Sequence, residues 1–217
     1  QEGQIWESLQ QAANLGLNEV TAIVDHNKIQ SDTWVSAVSD LGDLEAKFGA
    51  FGWHVQRCDG HDMRQIEHAL AVARATDDRP SVIVADTVKG KGVSFMEGPS
   101  MPPDDQMYHF HSGAPTAEQY SRAYEELLAE TDRQLQALDV ESLRLDRVKR
   151  RPSRPRSGTQ RFIPVYSKEL VGQAERHEGL HVLDADLVLD CGLIPFRDRF
   201  PERFLECGIA EQDMVSI

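Results

Sequence analysis

The chain has 217 residues, 40% of them hydrophobic, with 36 acidic against 23 basic side chains and a formal charge of -13. That length holds one large domain or two small ones around a substantial core, and so acidic a surface repels phosphate backbones and argues against nonspecific nucleic-acid binding. No apolar run approaches the roughly 20 residues of a membrane-spanning helix and no export signal opens the chain, while Cys58, Cys191 and Cys207 are odd in number and outside any metal-ligand spacing, as expected of reduced thiols in a cytoplasmic enzyme.

Helical and strand patterns alternate through the first half as in a parallel α/β sheet. A helix from about Ile5 to Leu17 places Ile5, Leu9, Ala12, Ala13 and Gly16 on one face, and "VTAIVD" from Val20 reads as a buried strand. A short helix near Leu44 to Phe51 and a second strand, "WHVQRC", come next, and "DGHD" turns into a helix with Met63, Ile66, Leu70 and Ala73 at helical spacing. "SVIVADT" is the third strand. Lys89 to Pro115 is rich in Gly, Pro and His, and a loop of that length is functional or disordered. Within it "KGKG", Lys89 to Gly92, suits either a flexible turn or a phosphate-facing one.

A long amphipathic helix follows, with Tyr120, Tyr124, Leu127, Thr131, Leu135 and Leu138 on one face. "RVKRRPSRPRSGTQR" then has almost nothing to bury and reads as an interdomain linker. From Phe162 a second α/β pattern starts: a helix to about His177, the strand "HVLDAD", a loop, the strand "RFLEC", and a helix opened by "GIAEQDMVSI". One helix and two strands make a poor domain, so this half is expected to be the opening part of a larger one.

Two places carry chemistry. "VDHNKIQ" ends a strand in Asp25, His26 and Asn27, where open α/β sheets bind ligands, and the Asn27 side chain offers a hard oxygen suited to Mg²⁺ or Ca²⁺. "ECGIAEQDMVSI" sets Glu211 among Cys207, Ile209, Ala210, Met214, Val215 and Ile217, apolar neighbours that would raise a carboxyl pKa by desolvation.

"QEGQIWESLQQAANLGLNEVTAIVDHNKIQ", with "FGAFGWHVQRCDGHD", "TVKGKGVSFME" and "ECGIAEQDMVS", closely resembles the transketolase family of thiamine-diphosphate enzymes over nearly the whole chain, in wording nearest to its two-chain members. The resemblance implies a parallel-sheet thiamine-diphosphate-binding fold. Residues 1–115 would be the C-terminal part of the diphosphate-binding domain, 116–161 a helix and Arg/Pro-rich linker, and 162–217 the start of the pyrimidine-binding domain. The family's Gly-Asp-Gly, whose Asp binds the metal, has no counterpart. Its Asn carries onto Asn27, and its metal-binding backbone carbonyl onto Ile29, whose side chain would also pack on the cofactor.

"HFHSGAP" resembles the family's His-Gly-x-Ala-Pro, implying that His111 approaches the diphosphate and the reacting carbon, with His109 as a competitor. Glu211 is implied as the carboxyl that exchanges a proton with the pyrimidine ring nitrogen, and Asp186 as an aspartate near the site. In the family the two domains forming one site come from different subunits, so Glu211 would serve a partner's cofactor, in a homodimer or hetero-oligomer acting on small molecules. Ile163 and Asp190 fall where phosphosugar transketolases place an Arg and a Ser for the substrate phosphate, which suggests a substrate other than a typical sugar phosphate. The expected activity is transfer of a two-carbon ketol unit. A deoxyxylulose-phosphate synthase or 2-oxoacid dehydrogenase component is the alternative within the cofactor class, and a noncatalytic assembly subunit the alternative outside it.

Overall fold

In the computed structural model, which describes residues 2–101, 106–146 and 162–217, the first half folds around three parallel strands. β1 (Thr21–His26), β2 (His54–Asp59) and β3 (Ser81–Asp86) lie in the order β1-β3-β2, so the last strand in sequence takes the centre. Its composition explains the placement: Ser81 to Ala85 are all buried, and a strand with no polar face is stable only where both sides are covered.

The helices of this half are α1 (Gly3–Asn14), α2 (Val35–Val38), α3 (Leu44–Ala50) and α4 (Met63–Ala75). On one side of the sheet Leu9 and Ala12 of α1, Leu44 and Phe48 of α3, and Trp53 close over Val82 and Val84. Ala69 and Ala73 of α4 cover the other side, against Cys58, Ile83 and Ala85. Each fully buried Val or Ile there contributes about 1.5–3 kcal/mol. Asp43 and Asp62 start α3 and α4 by accepting backbone N–H bonds from Ala46 and from Arg64 and Gln65, caps worth about 1 kcal/mol each.

β1 is not the buried strand that its composition suggests. Among the described residues it pairs with β3 alone, and it alternates between exposed and half-buried residues. Ala22 and Val24 join the helix-covered core, whereas Ile23 is 59% exposed.

The passage after β3 is a packed turn rather than a flexible connector. Gly90 and Gly92 adopt φ of 79° and 101°, a Cβ on Gly90 would overlap the Met96 carbonyl, and Phe95, Tyr108 and Phe110 pack edge to face. A capping box between Thr116 and Gln119 opens α5 (Ala117–Ala137). No residue of α5 is buried, and its attachment is polar: Glu126 accepts from the Ser94 amide at 2.6 Å and hydroxyl at 2.9 Å. The Arg/Pro-rich stretch 147–161 lies outside the described residues.

The C-terminal half comprises α6 (Phe162–Arg176), β4 (Val182–Asp184), α7 (Ile194–Arg199), β5 (Phe204–Glu206) and α8 (Glu211–Met214), with β4 and β5 paired in parallel. The expected loop between the strands contains α7, whose Phe196 centres a second core with Ala174, Val182, Val188 and Leu193. Met107, from the first half, is buried in that same core. None of the helices described is long and apolar enough to cross a membrane.

Candidate functional site

The loop leaving β1 presents two oxygen donors at the carboxyl edge of the sheet. Asn27 Oδ1 accepts from the Ile29 amide at 3.0 Å, and its Nδ2 donates to Asp25 at 3.3 Å, while Lys28 between them takes a φ of 67°. Neither bond uses the Ile29 carbonyl. The flanks of this turn are tied to Asp86, which receives His26 Nδ1 at 3.0 Å and Lys28 Nζ at 2.7 Å. Arg57 binds the same carboxylate through two nitrogens, at 2.6 and 3.0 Å, and this pairing above all holds Asp86 well below the usual carboxylate range. Ile29 is buried, and its side chain packs directly on Gly98.

Amide and carbonyl oxygens are the hard donors that Mg²⁺ or Ca²⁺ takes, so the turn fits the divalent cation of a bound diphosphate. Among the described residues no three His, Cys, Asp or Glu side chains gather into a metal group.

Lys89, from the glycine-rich turn, joins the Asn27 loop to His111. Its Nζ donates to the Gln30 carbonyl, lies 3.0 Å from His111 Nδ1 and sits 4.6 Å from the Tyr108 ring centroid. Burial lowers its pKa, opposed by the carboxylates of Asp186, Asp32 and Asp25. With Lys89 as donor, Nδ1 accepts and the ring proton of His111 stands on Nε2. His109 lines a cavity with Phe95, Glu97 and Gln119, while His111 lies against Lys89, which bonds the loop at the Gln30 carbonyl. Gln30, 3% exposed, keeps both amide atoms without a partner in the same region.

Carboxylates also join the two halves. Asp186, 1% exposed, accepts from the Ser31 amide and, at 3.2 Å, from the Asp32 amide. Asp32 in turn accepts from Leu189 at 2.9 Å, and Ser112, next to His111, donates to Asp190 at 2.9 Å. These are contacts within one chain: Asp186 closes on its own Asn27–Asp32 loop.

Glu211 departs from expectation in its surroundings. α8 is four residues long, Glu211 is exposed, and Val215 and Ile217 are 84% and 70% exposed, so the apolar run does not enclose the carboxyl. Glu211 instead opens on two cavities. One, of about 370 Å³, faces Glu2 and Glu7 of the first helix; the other, of about 630 Å³, holds Ile163, Tyr166, Asp190 and Met214.

The desolvated acid of this half is Glu206, which sequence reasoning missed. Burial pushes it up to about 7 even though the Gly208 and Asp186 amides bond its carboxylate at 2.8 and 2.9 Å. Asp184, its register partner across β4 and β5, adds to the rise. The available signal was that both short strands end in an acid, "VLD" and "FLE".

Fold and edge geometry define the class as an α/β domain with polar groups gathered at the carboxyl edge of a parallel sheet. Residues 1–102 match the family model described as "Transketolase, thiamine diphosphate binding domain". Over that stretch, a little under half of the chain, it is similar to the transketolase family. It is 44% identical over 97 residues to the 6-deoxy-6-sulfo-D-fructose transketolase subunit SqwG of Clostridium sp. (strain MSTE9), spanning 45% of this chain and 35% of that protein. It is 33% identical over 126 residues to an apulose-4-phosphate transketolase subunit of Phocaeicola vulgatus, covering 58% of this chain and 42% of the relative. The Homo sapiens transketolase aligns with all of this chain at 27% identity over 229 residues, which is 34% of its own length. Among solved structures, transketolase from Campylobacter jejuni superposes with a TM-score of 0.43 at 19% identity, over 96% of this chain and 37% of that one. The chain thus spans well under half the length of these relatives.

Proposed function

We propose that this chain contributes a thiamine-diphosphate site to an enzyme that moves a two-carbon ketol unit from a ketose-type donor to an aldehyde. The observation that supports this best is the Asn27 turn: side-chain oxygen and Ile29 carbonyl lie on one short loop at a sheet edge, inside the stretch that matches the cofactor-binding family. Asn27 and the Ile29 carbonyl would hold the divalent cation, and the Ile29 side chain would pack against the cofactor. Thiamine diphosphate, when bound, supplies a carbon that stabilises negative charge and so permits the carbon–carbon bond of the donor to break.

The remaining residues bind, orient and move protons. Lys89 holds His111 by Nδ1, which aims the Nε2 proton away from the amine and toward an oxygen developing charge. Glu211 would supply the carboxyl that exchanges a proton with the pyrimidine ring nitrogen of the bound cofactor. Asp186 fixes the loop that carries Ile29 to the half that carries Glu211. The subunit designations of two relatives support an assembly with a second chain.

The test is ketol transfer by the complete assembled enzyme bearing Glu211→Gln. A fall in kcat of about a hundredfold or more is expected, the scale of general acid–base catalysis, with cofactor affinity changed little. Unchanged kcat would remove Glu211 from the mechanism.

A further inference from the structure

Glu206 sits where three segments of the candidate site meet. Its Oε1 accepts from the Gly208 amide at 2.8 Å and from the Asp186 amide at 2.9 Å. The first bond folds the turn at Gly208, φ 71°, that leads into α8 and Glu211. The second holds Asp186 at a φ of 62°, in the left-handed region that residues with side chains rarely adopt. Asp186 in turn carries the Ser31 and Asp32 amides on its side chain. The Gly208 turn also lies against that loop directly, since a Cβ on Gly208 would stand 3.5 Å from Gln30 Oε1. One carboxyl oxygen therefore ties the segment bearing Glu211 to the clamp on the Asn27–Asp32 loop.

The other oxygen of Glu206 has a different neighbour. Asp184, 5% exposed, stands opposite Glu206 in the β4–β5 register and shares a side-chain hydrogen bond with it, while Asp184 Oδ2 accepts from the Leu187 amide at 3.0 Å. Two carboxyls bond each other only when one is protonated. Both amides bond Oε1, so Oε2 is the oxygen left to carry the proton toward Asp184. Asp32, Asp186 and Arg197 of α7 line a cavity of about 270 Å³ together with Glu206, and the Arg197 Nε donates to Asp198 at 3.0 Å. Cys207 follows Glu206 in the chain, with Asp213 of α8 within electrostatic reach of that thiol.

We infer that Glu206 is a positioning residue: one proton held between it and Asp184 keeps the Asp186 clamp closed on the Asn27–Asp32 loop and the Glu211 turn in register with it, and loss of that proton loosens both. Its bearing on catalysis rests on the transferase function proposed above, whereas the clamp can be followed without turnover. With the proton in place the pair is a hydrogen bond. Without it, two carboxylates face each other across a ladder of three residue pairs, and their repulsion acts on both turns. Burial pushes Glu206 up to about 7, so the clamp is closed below neutrality and opens as pH rises.

Hydrogen exchange of the complete assembled enzyme, read by mass spectrometry over the segment containing Ser31 and Asp32 and corrected for the intrinsic pH dependence of exchange, tests this. Protection there should fall about five- to tenfold between about pH 6 and about pH 8, the scale of losing one proton in the middle of that range. Glu206→Gln should keep protection constant, because its carbonyl accepts from the same two amides and its NH₂ donates to Asp184. Asp184→Asn, which removes the opposing charge from the other side of the pair, should flatten the dependence as well. Constant protection in the parent, or an undiminished fall in the folded variants, would overturn the inference. Ketol transfer measured on the same samples separates the two readings. A pH-dependent clamp without transfer removes the catalytic proposal and leaves the positioning role; transfer with constant protection does the reverse.

Discussion

Glu206→Gln isolates the half-buried acid at the end of β5. Burial raises this carboxyl from 4.5 to about 7. The folded chain therefore keeps the proton longer than the unfolded one, so stability is intact below the unfolded pKa, is lost as pH rises between these two values, and levels off above the folded pKa. The shift corresponds to about 3 kcal/mol across that window. The substituted amide could not ionise, yet its carbonyl could still accept from the Asp186 and Gly208 amides, which bond the Glu206 Oε1 in the native chain. Urea denaturation of both proteins from about pH 5 to about pH 8 should show the variant gaining more than about 2 kcal/mol on the parent as pH rises, visible as diverging midpoints. Midpoints that stay parallel across the window would refute the assignment of Glu206 as a desolvated, proton-holding acid.

Other expectations follow from the same contacts. Asp186→Ala strips the acceptor from two backbone amides, Ser31 and Asp32, and should cost about 3 kcal/mol, with faster hydrogen exchange at those amides; a loss below about 1 kcal/mol would contradict the closure described. Gly90→Ala forces a Cβ into the Met96 carbonyl at a φ of 79°. It should destabilise by more than about 1 kcal/mol and shift the His111 ring resonances as Lys89 moves, whereas an unperturbed His111 spectrum would mean the turn does not position that amine.

The parts of the fold that could be read in the sequence are those that local pattern controls. Five apolar or small residues in a row make "SVIVAD" legible as a strand, and Met63, Ile66, Leu70 and Ala73 at helical spacing make α4 legible. β1 misleads because an apolar strand looks alike at an edge and at a centre, and only its pairing, with β3 alone among the described residues, decides. α7, six residues long, is too short to show a helical period.

The site divides along the same line. The Asn27 turn is local: its place at a strand end makes Asn27 a candidate, and the family resemblance adds Ile29. Asp186 meeting Ser31, Lys89 meeting His111, and Asp184 facing Glu206 depend on how distant segments pack, which periodicity does not encode. Glu211 shows the converse error: apolar neighbours in sequence do not enclose a carboxyl when the helix carrying it is a single surface turn.

The central claim, that the Asn27 turn carries the metal-bridged diphosphate, is tested most directly by calorimetric titration of thiamine diphosphate with Mg²⁺ into the complete assembled enzyme and its Asn27→Ala variant. Saturable, Mg²⁺-dependent binding by the parent and affinity weakened roughly tenfold or more in the variant, about 1.4 kcal/mol, are the expected results. Equal affinity in the two proteins, or binding indifferent to Mg²⁺, would contradict the account.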